Sequence, residues 1–199
     1  MNFLPHLYLA EDHPQSRVGN LLGDFVKGRI ENLAFPSGIL KGIVEHREID
    51  RFTDTHPIHT QSRSLINPEN RRFAGIAVDV IYDHFLARDW ADYHPMPLQQ
   101  FTRQCYQELR EDWDILPPRL RFLFPYMESG DWLTHYAKRN GIYDSLSGLA
   151  RRMQRQFQRP NTFETTLADF DAHYHAFEAH FRAFFPELQA HLSHFRATR

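Results

Sequence analysis

The chain has 199 residues, 42% hydrophobic and 14% aromatic, with 17 phenylalanines, which is enough apolar side chain for one substantial core. Its formal net charge of −2 argues against a general nucleic-acid binder, which carries a basic excess. The single cysteine, Cys105, rules out an internal disulfide or a cysteine-based metal cluster and fits a reducing compartment.

In chain order, the start MNFLPHLYLAED is apolar but short, has no basic leader and is interrupted by Pro5 and His6, so it does not read as a signal peptide. Residues 14–28 place Val18, Leu21, Leu22 and Phe25 on one helical stripe. Pro36 opens a helix carrying Ile39, Ile43, Ile49 and Phe52, which closes at Pro57. Residues 71–90 are apolar on most sides, which predicts a central buried helix. Pro95 and Pro97 precede an amphipathic stretch at 98–112, and Pro117, Pro118 and Pro125 are expected to interrupt the chain beyond it. Asn140–Gly141 marks a break before a helix at 142–158. The last element spaces Phe170, Tyr174, Phe177, Phe181 and Phe184 as one aromatic stripe, whose ordinary meaning is core packing. No apolar run approaches the ~20 residues that span a bilayer. With no sustained strand alternation, the expectation is an all-α, single-domain chain over residues 1–199 with roughly seven to nine helices, cytoplasmic and without membrane insertion.

The chemistry gathers in HREIDRFTDTHP, residues 46–57. Asp, Thr and His are mediocre helix formers, so this stretch gives up helix propensity. Residues four apart on a helix lie about 40° apart, which predicts His46, Asp50 and Asp54 on one face. His56 comes next at the helix end, and Arg47 and Arg51 repeat the spacing on the neighbouring face. Asp79 and Asp83, with His84 adjacent, form a second group inside the most apolar helix, where a carboxylate is costly unless it is paired or binds a metal. Asp24, flanked by Leu21, Leu22 and Phe25, and His6 in FLPHLYL are further polar residues in apolar company. Carboxylate and imidazole without thiolate suit Mn²⁺, Fe²⁺ or Zn²⁺ at a site that is not a structural zinc site. The competing reading is a salt-bridge network among Asp50, Asp54, Arg47 and Arg51. His173, His175, His180, His191 and His194 fall beside the aromatic stripe and read as surface or boundary residues.

MNFLPHLYLA, GNLLGDFVKG, HREIDRFTDTHP, RRFAGIAVDVIYDHFLARDW, GDWL and FFPEL succeed one another in order. Together they resemble the acyl carrier protein phosphodiesterase family from residue 1 to about 188. The resemblance implies a cytoplasmic, manganese-dependent hydrolase that removes 4′-phosphopantetheine from holo acyl carrier protein. It also implies an outline similar to the all-helical HD-domain phosphohydrolases. Here the adjacent pair is Asp83–His84, the reverse of the HD order, and Pro5 stands where a small residue is expected before His6. Carried over, the resemblance matches Asp24, His46, Asp50, Asp54, His56, Asp79, Asp83 and His84 to the family's polar positions. The chemistry of phosphodiester hydrolysis then leads us to expect metal ligation mainly by His46, Asp50, Asp83 and His84, with Asp24 close by. The same chemistry gives Asp54 or Asp79 the attacking water, His56 the leaving oxygen, and Arg47 or Arg51 the phosphate.

The resemblance also implies an acidic substrate, since acyl carrier proteins are acidic as a class and their partners need a basic surface. In ARRMQRQFQRP, Arg151 and Arg155 are four apart and are expected to share a docking face. Two other functions remain open on the sequence: a metal-dependent phosphohydrolase acting on nucleotides or other phosphate esters, and a non-catalytic helical module that binds an acidic protein through arginine.

Overall fold

The structure, a computed structural model, describes residues 1–157 and 165–198, with the side chains of 149, 150 and 152–157 outside the description. Helices α1 (Phe3–Leu9), α2 (Pro14–Leu22), α3 (Ser37–Thr55), α4 (Pro57–Ser64), α5 (Ala74–Arg88) and α6 (Leu98–Glu111) are followed by α7 (Pro118–Ser129), α8 (Trp132–His135), α9 (Arg139–Phe157), α10 (Thr165–Ala172) and α11 (Tyr174–Ala197). Short 3-10 turns at Ile30–Asn32, Pro68–Phe73, Trp90–Asp92 and Trp113–Ile115 complete the order, and the described residues contain no strand. The fold is all-α. No helix among the described residues is long and apolar enough to cross a membrane.

The eleven helices among the described residues exceed the expected number because proline and histidine start several short ones. Pro14, Pro57 and Pro118 occupy first helical positions, where a missing N–H goes unneeded. His13 and His56 cap the first two, their Nδ1 atoms accepting from the N–H groups of Gln15 at 3.2 Å and Ile58 at 3.3 Å. Pro125 does not break α7, and Pro186 does not break α11. Both rings face solvent, where they add no clash to the core and water can serve the carbonyl left over. Asn140–Gly141 likewise falls inside a helix, since α9 starts at Arg139. The stripe over residues 14–28 ends early, at Leu22, because the chain turns at Gly23 and again at Gly28, whose φ is +98°. The aromatic stripe is divided at His173 between α10 and α11, yet all five of its rings are buried.

α5 runs through the middle. Ala77, Val78, Ile81, Tyr82, Phe85 and Leu86 are completely buried, and α11 lays Phe177, Phe181, Phe184 and Phe185 against the same core. Phe181 sits edge-on to Tyr82 at 5.5 Å and stacks on Phe85 at 5.9 Å. Each such side chain contributes about 1.5–3 kcal/mol by leaving water.

α2 and α3 meet at two glycines. A Cβ on Gly19 would lie 2.3 Å from the carbonyl oxygen of Ile39, and one on Gly42 would lie 2.5 Å from that of Ser16. The contact is therefore backbone against backbone, closer than any side chain permits. It brings the end of α2, with Asp24 just beyond it, against the middle of α3, where His46 and Asp50 project.

Candidate active site

Five helices deliver polar groups to one place: His6 from α1, Asp24 just past α2, His46 and Asp50 from α3, His59 from α4 and Asp79 from α5. Asp50 lies at the centre. Its Oδ2 is 3.0 Å from His46 Nε2 and its Oδ1 is 3.2 Å from His6 Nε2. The two imidazoles stack at 4.0 Å, and one ligand atom from each of His6, His46 and Asp50 lies within 4.8 Å of the others. Asp24 Oδ1 is 3.8 Å from His46 Nε2, and Asp79 Oδ1 is 3.2 Å from His59 Nε2. The Met1 ammonium joins the two acidic halves, 3.4 Å from Asp50 and 3.3 Å from Asp79.

Burial and charge act against each other here. Burial disfavours an ionised Asp50, but hydrogen bonding to His46 and His6 outweighs it and holds the carboxyl well below the usual range. Asp79 is also held low, burial being outweighed by the ammonium and His59. Asp24 goes the other way, raised by burial despite His46. Burial and the neighbouring His46 push His6 down to about 4, so the ring is neutral at pH 7. The site thus holds ionised Asp50 and Asp79 around a neutral imidazole, the protonation states that bind a cation.

The imidazoles also have spare capacity. Nδ1 of His6, His46 and His59 is buried without a hydrogen-bond partner. In the stacked pair each Nε2 donates its proton to Asp50, and that of His6 also faces the Met1 carbonyl oxygen at 3.2 Å, while nothing bonds Nδ1. A metal at Nε2 would take the place of that proton, which the free Nδ1 could carry instead. The donor set of two imidazoles with carboxylates and no thiolate fits a divalent ion of the manganese, iron or zinc kind.

Of the residues singled out by sequence, the structure brings Asp24, His46, Asp50 and Asp79 together. Asp83 lies behind the cluster. Its Oδ2 accepts from the Leu4 N–H at 3.1 Å and from Asn2 Nδ2 at 3.3 Å, at the start of α1. His84 faces away, with Nδ1 2.7 Å from the Tyr136 carbonyl and Nε2 2.9 Å from the Tyr174 hydroxyl. His56 caps α4 and pairs with Glu187 at 3.2 Å. Asp54 is exposed, because eight residues of helix rotate it about 80° from His46. Arg51 is bound by Glu48 on the surface. Arg47 lines an open cavity of about 550 Å³ with Arg29, Ile30, Glu31 and Asn32. Arg151 is exposed on α9, and the side chain of Arg155 lies outside the described residues.

Sequence reasoning gave no role to His6 and did not single out His59. His6 carries a signal, an imidazole enclosed by Leu4, Pro5 and Leu7. His59 carries almost none, because α4 is polar overall and only His59 and Ser62 are buried in it.

A family model described as acyl carrier protein phosphodiesterase matches residues 1–188. The chain belongs to that family. It is 39% identical over 195 residues to the acyl carrier protein phosphodiesterase of Escherichia coli O139:H28, covering 98% of each chain. It is also 39% identical over 189 residues to the protein of the same name from Enterobacter sp. strain 638, covering 94% of this chain and 95% of that one. No solved structure matches the chain.

Proposed function

We propose that this protein hydrolyses the phosphodiester linking 4′-phosphopantetheine to a serine of holo acyl carrier protein, using a divalent ion expected to be Mn²⁺. The observation that carries this reading is the family match over residues 1–188, with the acid–imidazole cluster supplying a place for the chemistry. His6, His46 and Asp50 would hold the ion, with Asp24 closing the set. When bound, such an ion polarises a phosphoryl oxygen and makes water more acidic.

The remaining work falls to the chain. Asp24 and Asp50 are each 38% exposed, so a phosphodiester can reach the cluster from solvent. Asp79, held ionised, takes the proton of the attacking water, and His59 orients that carboxylate. As the bond from phosphorus to the serine oxygen breaks, the proton held by the Asp79–His59 pair passes to that oxygen. Arg47, three residues before Asp50 on α3 and lining the open cavity with Arg29, would hold a phosphoryl oxygen.

The test is the mass of holo acyl carrier protein after incubation with this protein and Mn²⁺. The carrier should lose its prosthetic arm, and a chelator should stop the reaction. A carrier mass that never changes under any divalent ion, with turnover of nucleotide or simple phosphate esters instead, would show the substrate reading to be wrong.

A second prediction comes from Gly23. A Cβ there would lie 2.1 Å from His46 Cγ and 2.7 Å from His46 Cβ, so Gly23→Ala must displace the ring. Displacement of a site group by about 1 Å lowers turnover by about 10²-fold. Circular dichroism should be unchanged while Mn²⁺ affinity, read by calorimetry, falls. Wild-type affinity and turnover in Gly23→Ala would remove His46 from the ion's ligands.

A further inference from the structure

We propose that the solvent face of α7 is the surface on which an acidic carrier protein docks, with Phe122 and Tyr126 at its apolar centre. The identity of the partner rests on the phosphodiesterase reading; the surface rests on the structure. Phe122 is 73% exposed and Tyr126 58%, the two most exposed large hydrophobic side chains among the described residues. They stand one helical turn apart with ring centroids at 5.8 Å. Pro118, Arg119, Pro125 and Ser129 complete the exposed face. An aromatic pair so placed adds little to the core of its own chain and marks a site of contact with another molecule.

The face leads to the candidate active site. One turn before Phe122, the Arg119 guanidinium stands 5.7 Å over the ring of Phe25, and Phe25 comes directly after Asp24 in the chain. Phe25 in turn stacks on Phe3 of α1 at 6.2 Å. A protein seated on Phe122 and Tyr126 therefore lies beside the exposed edge of the cluster, where a prosthetic arm must enter.

The charge suits an acidic partner. Residues 117–127 contain Arg119 and Arg121 and no acid, and the loop that carries Phe25 adds Lys27 and Arg29, both exposed. The first acid beyond, Glu128, is tied to Arg110. Glu111, Asp112 and Asp114 in the turn entering α7 repel an acidic partner, so its footprint runs from Tyr126 towards Lys27 and not across that turn. In such an interface the central aromatics set the lifetime of the complex and the rim cations its association rate.

The experiment uses Phe122→Ser/Tyr126→Ser and, separately, Arg119→Glu. Each is assayed on holo acyl carrier protein and on bis(p-nitrophenyl) phosphate, with calorimetric titration of apo carrier protein alongside. The aromatic double variant should raise KM for the carrier protein about tenfold, leaving kcat and small-diester turnover unchanged. Arg119→Glu should raise KM at low salt, with the difference shrinking as salt screens the charge. Unchanged KM and unchanged apo carrier binding in both variants would overturn the proposal. So would a fall in small-diester turnover that matches the fall on carrier protein, or a rise in KM on reversing Arg151 and Arg155 to Glu that the α7 variants do not share. If the wild type binds apo carrier protein through α7 but never cleaves the holo form, the docking surface stands and the phosphodiesterase reading fails.

Discussion

Asp50→Asn is expected to lower turnover of holo acyl carrier protein by about 10³-fold, equivalent to about 4 kcal/mol of lost transition-state stabilisation. Among the described residues, Asp50 is the carboxylate that meets both stacked imidazoles, one on each oxygen. Asparagine keeps the shape but has one acceptor where there were two, and it removes the charge that a bound cation needs. Calorimetry with Mn²⁺ should show a matching loss of affinity, and far-ultraviolet circular dichroism should keep its helical form. Near-normal turnover would move the chemistry away from this cluster. Unfolding of the variant, together with a wild type that binds no ion, would make the cluster a salt-bridge network and nothing more.

The second large effect is on stability. Asp83→Ala should cost about 2–4 kcal/mol in urea unfolding, because it leaves the buried Leu4 N–H without its acceptor, removes one of the Asn2 amide's two acceptors (the other being the Tyr136 hydroxyl) and opens a small void. Turnover per folded molecule should fall far less than in Asp50→Asn. Asp83→Asn should behave differently again, since an amide oxygen can still accept from Leu4. Burial raises the Asp83 pKa well above its ordinary value. Between the unfolded pKa of about 3.9 and the higher folded one, the folded chain binds more protons, so this group makes stability fall as pH rises. Asp83→Asn cannot titrate and loses that slope, so its stability relative to wild type should improve steadily from about pH 4 towards neutrality. A relative stability independent of pH would mean that Asp83 stays ionised where it is buried. A loss of turnover in Asp83→Asn as deep as in Asp50→Asn would return Asp83 to the ion's ligands.

Much of the helical order can be read from the chain because prolines and apolar spacing mark it locally. α3 begins after Pro36 and ends before Pro57, as the spacing predicts. Pro125 and Pro186 could not be judged this way, because a proline's effect depends on whether its ring faces solvent, which only the packed fold decides. The site was legible where one helix carries it: His46 and Asp50 are a single four-residue step. A second step to Asp54 overshoots, as the drift accumulates. Asp83 and His84 cannot both face one centre, being adjacent and so about 100° apart, and each is satisfied by a different neighbour. His59 was hidden for the opposite reason, since nothing in a short polar helix announces which residue it buries.

The glycine contact between α2 and α3 has a consequence for how the protein can vary. Because the two helices are registered by their own backbones at Gly19 and Gly42, the connection from Gly23 to Pro36 does not set their angle. That connection carries Phe25, Lys27 and Arg29, the residues nearest an incoming partner. Beyond Asp24, its length and composition are therefore free to change without moving Asp24 or its neighbours His46 and Asp50, since loop length itself adds little free energy. Recognition and chemistry are built as separable modules, and a lineage could retune which carrier it accepts while inheriting the reacting groups unaltered.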